Sequence, residues 1–313
     1  MNWLRIPIVI GLLVVLLLLP LALSQYFLGI VTQMMIYAIF AMSLDILMGY
    51  TGLTSLGHAA YFGVGGYTVG LLSLKVTQQF GFVVAFGLGA AFAASAIFGI
   101  MALRAYGAYF LMITLSLAQV LWGVAFKWVS LTGGHDGLPG VPRPLLGIPF
   151  SLRDTTNFYF FILIICAIVT TLLYLFVHSH FGLALKGIGE SETRMETLGY
   201  NVWLYKYIAF IVSGVFAGLA GMLFTYYNGF VSPADLSLVL SAKVLLMVIL
   251  GGAGTLFGPA LGAGVIVLLE NLISARTGRW ILILGVIYVT VAMFAPHGIV
   301  GTLKAKLRRS IPP

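Results

Sequence analysis

Charge is scarce in this chain. Of its 313 residues only 8% are Asp, Glu, Lys or Arg, while 61% are hydrophobic and the mean hydropathy is +1.11. A soluble domain of this size covers its surface with far more charge, so a polytopic membrane protein is expected. Cysteine is nearly absent: the lone Cys166 excludes an intramolecular disulfide, argues against a metal cluster and reads as a small core residue. No polar segment is long enough for a separate soluble domain, so 1–313 is expected to form one transmembrane domain. Reactive sets are missing as well. There is no Ser/His/Asp group, no pair of carboxylates at one site and no metal-ligand spacing, which argues against an enzyme. A Walker A loop needs Gly-x4-Gly-Lys-Ser/Thr, but Gly258 is followed by Pro259, so the chain itself is not expected to hydrolyse ATP. The net charge of +8 is spread along the chain rather than clustered, which excludes nucleic acid as a partner.

What the chain has in abundance is apolar runs. Candidate spans cover about 6–24, 28–48, 59–74, 81–103, 108–129, 157–177, 207–227, 237–251, 257–274 and 280–296. The fold class is therefore all-α and polytopic, with about eight to ten helices through the membrane lipid. Residues 1–24 carry Arg5 ahead of a run from Ile6 to Leu23, as a signal peptide would. The run is long and no small-x-small cleavage site follows, so an uncleaved first span is expected. Alternating the spans from an inside N-terminus puts Arg5, Arg104, Lys186, Arg194, Lys206, Lys304, Lys306, Arg308 and Arg309 in the cytoplasm. Lys75, Lys127, Arg143, Arg153, Arg276 and Arg279 fall outside, and Lys243 lies within a span. The positive-inside rule then places both termini and the 178–206 loop in the cytoplasm.

Two stretches are too rich in glycine to be ordinary lipid-facing helix. They are 45–66, DILMGYTGLTSLGHAAYFGVGG, and 251–264, GGAGTLFGPALGAG. Broken backbone at membrane depth must be buried in protein or line a cavity. Both hold a Thr-x-x-Gly core, Thr54–Gly57 and Thr255–Gly258, about half a chain apart. Such pairs point to an internal repeat with a pathway at its interface. Candidate pathway residues are Asp45, Thr54, Ser55, Gly57, His58, Thr255 and Gly258, and bulky replacement of Gly57 or Gly258 is expected to reduce transport or assembly. Ionisable groups at membrane depth are costly, and Asp45, His58, Lys243 and Glu270 are the candidates. Asp45 also reads as a buried structural group near a span end. Lys243 and Glu270 could pair across two spans, and His58 could line a pathway or cap a half-helix. The small-x3-small pairs Gly66/Gly70, Gly214/Gly218 and Gly258/Gly262 mark close packing, within the scaffold or against a partner.

Two long polar segments remain. Residues 130–156 are rich in Gly, Pro and Asp and read as a turn-rich irregular loop, either a docking face or a plain connector. Residues 178–206, HSHFGLALKGIGESETRMETLGYNVWLYK, read differently. Leu185, Ile188, Met195 and Leu198 recur at helical spacing on one face. Glu190 and Arg194 stand in the favourable i,i+4 order, and Gly199 sits where a helix would be capped. A structured, charged helix between two spans suits a protein pushed by a soluble partner. The competing reading is an interfacial amphipathic helix at the headgroups.

The run GLALKGIGESETRMETLGYNVWLYKYIAFIVSGVFAGLAG resembles the cytoplasmic loop and following span of branched-chain amino acid ABC importer permeases of the LivM type. The likeness extends through GYTGLTSLGHAAYFGVGGYT, RAYGAYFLMITLSLAQ, TGGHDGLPGVP and GGAGTLFGPALGAGVIVLLE, over most of the chain. The resemblance implies a bacterial inner-membrane permease that imports branched-chain or related amino acids by alternating access. It implies as partners a LivH-type second permease, two ATP-binding subunits that hold ATP and Mg, and a periplasmic substrate-binding protein meeting the 130–156 face. No cofactor is implied in this chain. The 186–199 segment would be the coupling helix docked on the ATPase, with Lys186, Gly187, Gly189, Glu190, Glu192, Arg194, Glu196 and Gly199 as contacts. Related importers carry urea, short amides or small organic acids, which leaves the substrate open. An autonomous channel or secondary transporter is the alternative from another class. The structured loop and sparse intramembrane charge argue against it.

Overall fold

The computed structural model describes residues 15–145 and 151–277, with isolated positions at 279, 282, 283, 285, 286, 289 and 298. Most of the expected last span, the start of the first and the Lys304–Arg309 cluster lie outside the described residues.

The apolar runs form helices. A helical segment at 15–22 leads into α1 (Gln25–Asp45), which continues as a wider π turn, Ile46–Tyr50. Then follow α2 (His58–Lys75), α3 (Phe80–Ala102), α4 (Ala108–Lys127) and α5 (Thr155–His178). The short α6 (His180–Glu190) and α7 (Glu192–Thr197) precede α8 (Val202–Asn228), α9 (Leu238–Gly251) and α10 (Phe257–Ser274). Six of these, counting α1 with its π turn, are long and apolar enough to cross a membrane: α1, α3, α4, α5, α8 and α10. The glycine-bearing α2 and the 14-residue α9 lie among them. This is an all-α polytopic membrane protein.

Glycine sets how closely the central helices approach. Helix α8 crosses α2 where Gly65 faces the Gly218 backbone and Gly221 faces the Phe62 backbone. It meets α3 where Gly214 and Gly218 face Ser95 and Ala91. Gly66 and Gly70 abut Thr225 and Val231, and Gly258 and Gly262 abut Gly251 and Met247. All three small-x3-small pairs are thus used inside the chain. Lipid offers no hydrophobic drive for helix association, so this backbone contact carries the packing. Phe40, Tyr61, Phe62, Phe210 and Phe224 fill the space between α1, α2 and α8. Outward faces of α3, α4 and α5 carry exposed Phe86, Met112 and Ile168, as lipid-facing helices do.

Loops collect at two ends. At one end Gly52 lies beside Gly189, Gly49 beside Gly254, and Lys206 under the Tyr106 ring. This groups 51–57, 103–107, 178–201 and 252–256. At the other end strand β1 (Leu138–Pro139) pairs antiparallel with β2 (Phe230–Val231), and Gln79 bridges Leu145. The described part of the 130–156 loop, which leaves out 146–150, therefore holds more regular structure than its composition suggests. A helical turn at Val129–Thr132 and a 3-10 turn at Gly134–Asp136 lead to β1. Gly137, at φ 69°, makes the turn into that strand, where a side chain would strike the Val231 carbonyl.

Candidate functional site: two glycine-rich breaks and the loop beside them

The first break begins where α1 widens. Thr51 Oγ1 donates to the Leu47 carbonyl at 2.6 Å, and Leu53 N–H reaches the same carbonyl at 3.0 Å, closing the π turn. The chain then runs without regular structure until Ser55 Oγ accepts the Gly57 N–H at 3.2 Å and α2 starts at His58. Gly57 lies so close to the Thr114 backbone of α4 that a side chain there would strike it. His58 is fully buried. Its Nε2 is 2.9 Å from Ser43 Oγ, its ring stacks on Phe40, and Nδ1 has no hydrogen-bond partner. The next N–H, of Ala59, donates to Ser241 Oγ of α9 at 3.1 Å.

The second break repeats this chemistry. Helix α9 ends at Gly251, and just ahead of α10 stands Thr255, whose Oγ1 accepts the Gly258 N–H at 3.2 Å. Between the two helices Gly252 and Gly254 take positive φ, and so does Leu256, at 56°. Leu256 has ψ −54°, and Phe257 N–H donates across it to the Thr255 carbonyl at 2.7 Å. That is a γ-turn of the strained kind.

Asp45 joins the two breaks. One carboxylate oxygen accepts the Gly254 N–H at 2.7 Å and the other accepts the Leu256 N–H at 3.1 Å. The side chain is fully buried, and Gly49, lacking a side chain, lets the second break lie directly on the π turn. Both oxygens of Asp45 face protein backbone. Thr54 and Thr255 are half-buried, whereas Ser55, Gly57, His58 and Gly258 are buried.

The loop from 178 to 206 departs from the expected single helix. Ser191 is extended (φ −163°, ψ 106°), and its hydroxyl caps α7 by accepting the Arg194 N–H at 3.4 Å. Serine competes for backbone donors in this way, which ends one helix and starts another. Glu190 and Arg194 therefore flank a break and do not share a helix. Leu185, Ile188 and Met195 are buried as expected, but Leu198 is 67% exposed. Gly199 takes φ 85° after α7, as a C-cap glycine should. Three of the expected contact residues also touch their own chain. Glu192 pairs with the buried Lys206 at 2.5 Å, Gly187 abuts the Met195 side chain, and Gly189 abuts the Tyr50 carbonyl. Lys186 is exposed and sits 5.1 Å from the Tyr50 ring centroid. Glu190, Arg194 and Glu196 are exposed, and so are Leu198, Tyr200 and Trp203. Helical spacing puts Leu198 on the buried face; Ser191, which starts α7 anew, is the available signal, because it resets the helix phase.

A family model for the permease component of branched-chain amino acid transport systems matches residues 26–294. The chain belongs to that family. The permease is 30% identical over 311 residues to the high-affinity branched-chain amino acid transport permease LivM of Escherichia coli K12. That match covers 92% of this chain and 73% of the relative. It is 29% identical to LivM of Salmonella typhimurium LT2, with the same coverage. A probable LivH permease of Methanocaldococcus jannaschii is 26% identical over 90% of this chain and 93% of its own. No solved structure matches the permease. As a member of this family the chain is a transport permease component of LivM type, and both LivM and LivH proteins are among its relatives.

Proposed function

We propose that this permease is the LivM-type subunit of an ABC importer that moves branched-chain or related amino acids into the cytoplasm by alternating access. A LivH-type permease lies beside it, two ATP-binding subunits drive it, and a periplasmic binding protein delivers the substrate to the 130–156 face. The membrane is a bacterial inner membrane. The end carrying α6 and α7 faces the cytoplasm together with both termini. An impermeant thiol reagent on whole cells should then label a cysteine at His135 and leave one at Ser191 untouched.

The observation that carries the reading is the position of α6. It lies in the first half of the long polar loop, it rests on the π turn through Gly189, and the π turn rests on the second break through Gly49. Force applied to the loop by a soluble ATPase thus has a short route to both glycine-rich breaks, which hold Thr54, Ser55, Gly57, His58, Thr255 and Gly258. The exposed Glu190, Arg194, Glu196 and Leu198 are suited to the docking contact. Glu192 is left out, because its partner is Lys206.

Charge reversal at the two exposed carboxylates, Glu190→Arg with Glu196→Arg, tests the docking. It should lower ATP-driven uptake at least tenfold or release the ATPase, and leave the binding protein's ligand affinity unchanged. Full uptake by an intact complex would make the loop a passive connector.

A further inference from the structure

Asp45 reaches across 209 residues of chain to hold a turn that its backbone would not hold unaided. Leu256 is the only non-glycine with positive φ among the described residues, and it is the centre of a strained γ-turn. Such a conformation persists only where the surroundings over-determine it. Here the surroundings are the Asp45 carboxylate, which accepts the N–H of Leu256 and that of Gly254, and the Gly49 backbone, against which Gly254 lies. Leu256 immediately precedes α10, so the setting of this turn sets where α10 begins.

Asp45 is also the last residue of α1 before the π turn. A π turn is a wide, locally irregular winding found frequently at functional sites. This one is touched from the outside by α6: Gly189 abuts the Tyr50 carbonyl, Gly52 lies beside Gly189, and Lys186 stands over the Tyr50 ring. The same five-residue turn is touched from the inside by the second break, at Gly49. Packed side chains and backbone transmit displacement where a contiguous set of groups has two arrangements. A strained turn held by two hydrogen bonds to one side chain is suited to that role, because losing the acceptor removes what holds it.

We propose that Asp45 is a positioning residue, the catch through which movement of α6 and the π turn resets the Leu256 turn and with it the start of α10. This rests on the reading that α6 and α7 receive the ATPase's movement. In the loaded arrangement the carboxylate holds Leu256 in the γ-turn. When α6 displaces the π turn, Asp45 moves with it, the two N–H groups lose their acceptor, and Leu256 relaxes to a negative φ.

Spin-label distances in the complete reconstituted importer test this, in a Cys166→Ser background with a reference label at His135→Cys. One distance runs to Thr193→Cys, an exposed position on α7 outside the docking contacts, the other to Ala253→Cys in the second break. Adding a non-hydrolysable ATP analogue should change both. In Asp45→Asn one oxygen becomes a donor and only one N–H can be held. The 193 distance should still change, whereas the change at 253 should fall below half, with uptake down about tenfold and ATP hydrolysis retained. An unaltered response at 253 overturns the catch and leaves the importer reading standing. A 193 distance that ignores the nucleotide overturns the importer reading, and the catch with it. If Asp45→Asn does not assemble, Thr51→Val removes the hydroxyl that pins the π turn: the 193 distance should still change and the change at 253 should fall, and an unaltered 253 response overturns the catch.

Discussion

Lys243 of α9 and Glu270 of α10 form an ion pair, and the Tyr37 ring of α1 lies 4.4 Å from the same ammonium. The pair is mostly buried, with side chains 15% and 21% exposed. Removing one partner leaves a charge among apolar helices, so Lys243→Met or Glu270→Gln alone should lower the unfolding temperature of the detergent-solubilised protein. The double variant should be less destabilised than the two single effects added together. Residues in contact typically couple by about 0.5–3 kcal/mol. Strict additivity would show that each side chain is stabilised independently.

Two glycines in similar helical settings should respond oppositely to alanine. Gly221 faces the Phe62 backbone, and a methyl there has nowhere to go. Gly221→Ala should cost about 1–3 kcal/mol through overpacking. Gly123 on α4 has nothing within 4 Å of an added Cβ. Gly123→Ala should leave stability unchanged or raise it by up to about 1 kcal/mol. Equal effects at the two sites would contradict the α2–α8 crossing described above.

Asp235 gives the α8–α9 connection a pH dependence. Burial pushes its carboxyl up to about 6, partly opposed by the Ser232 N–H that it accepts at 2.9 Å. A carboxyl raised above its unfolded value of about 3.9 favours the folded segment while protonated. Its contribution is therefore full below about pH 4 and lost as pH rises through about 6. Hydrogen-exchange protection across 229–237 should decline over that interval, after correction for intrinsic exchange. Asp235→Asn should abolish the decline, and a pH-independent wild type would remove Asp235 from the account.

The spans were legible because lipid-facing helices must be apolar, and α3, α4 and α5 follow the hydropathy closely. Helix α8 begins at Val202, several residues before its apolar run, because Asn201 caps it by accepting the Leu204 N–H. The Lys243–Glu270 pair was legible too, since two opposite charges in neighbouring spans have few other partners. The break at Ser191 was obscured by helical spacing that runs through it, and the misplacement of Leu198 followed from that. The partners of Asp45 could not be read at all. They are backbone N–H groups more than 200 residues away, freed only because Gly252 and Gly254 bend the chain there. Composition marks both breaks as irregular, but no local pattern says that one carboxylate holds them together.

Reconstitution tests the central claim, that this permease moves its substrate only when separate ATP-binding subunits drive it. Proteoliposomes holding the chain with its LivH-type partner should take up no labelled leucine, with or without ATP. Adding the ATP-binding subunits, ATP and the binding protein should start accumulation against a gradient. Leucine entry through the chain alone, down a gradient and without ATP, would instead make it an autonomous carrier and contradict the account.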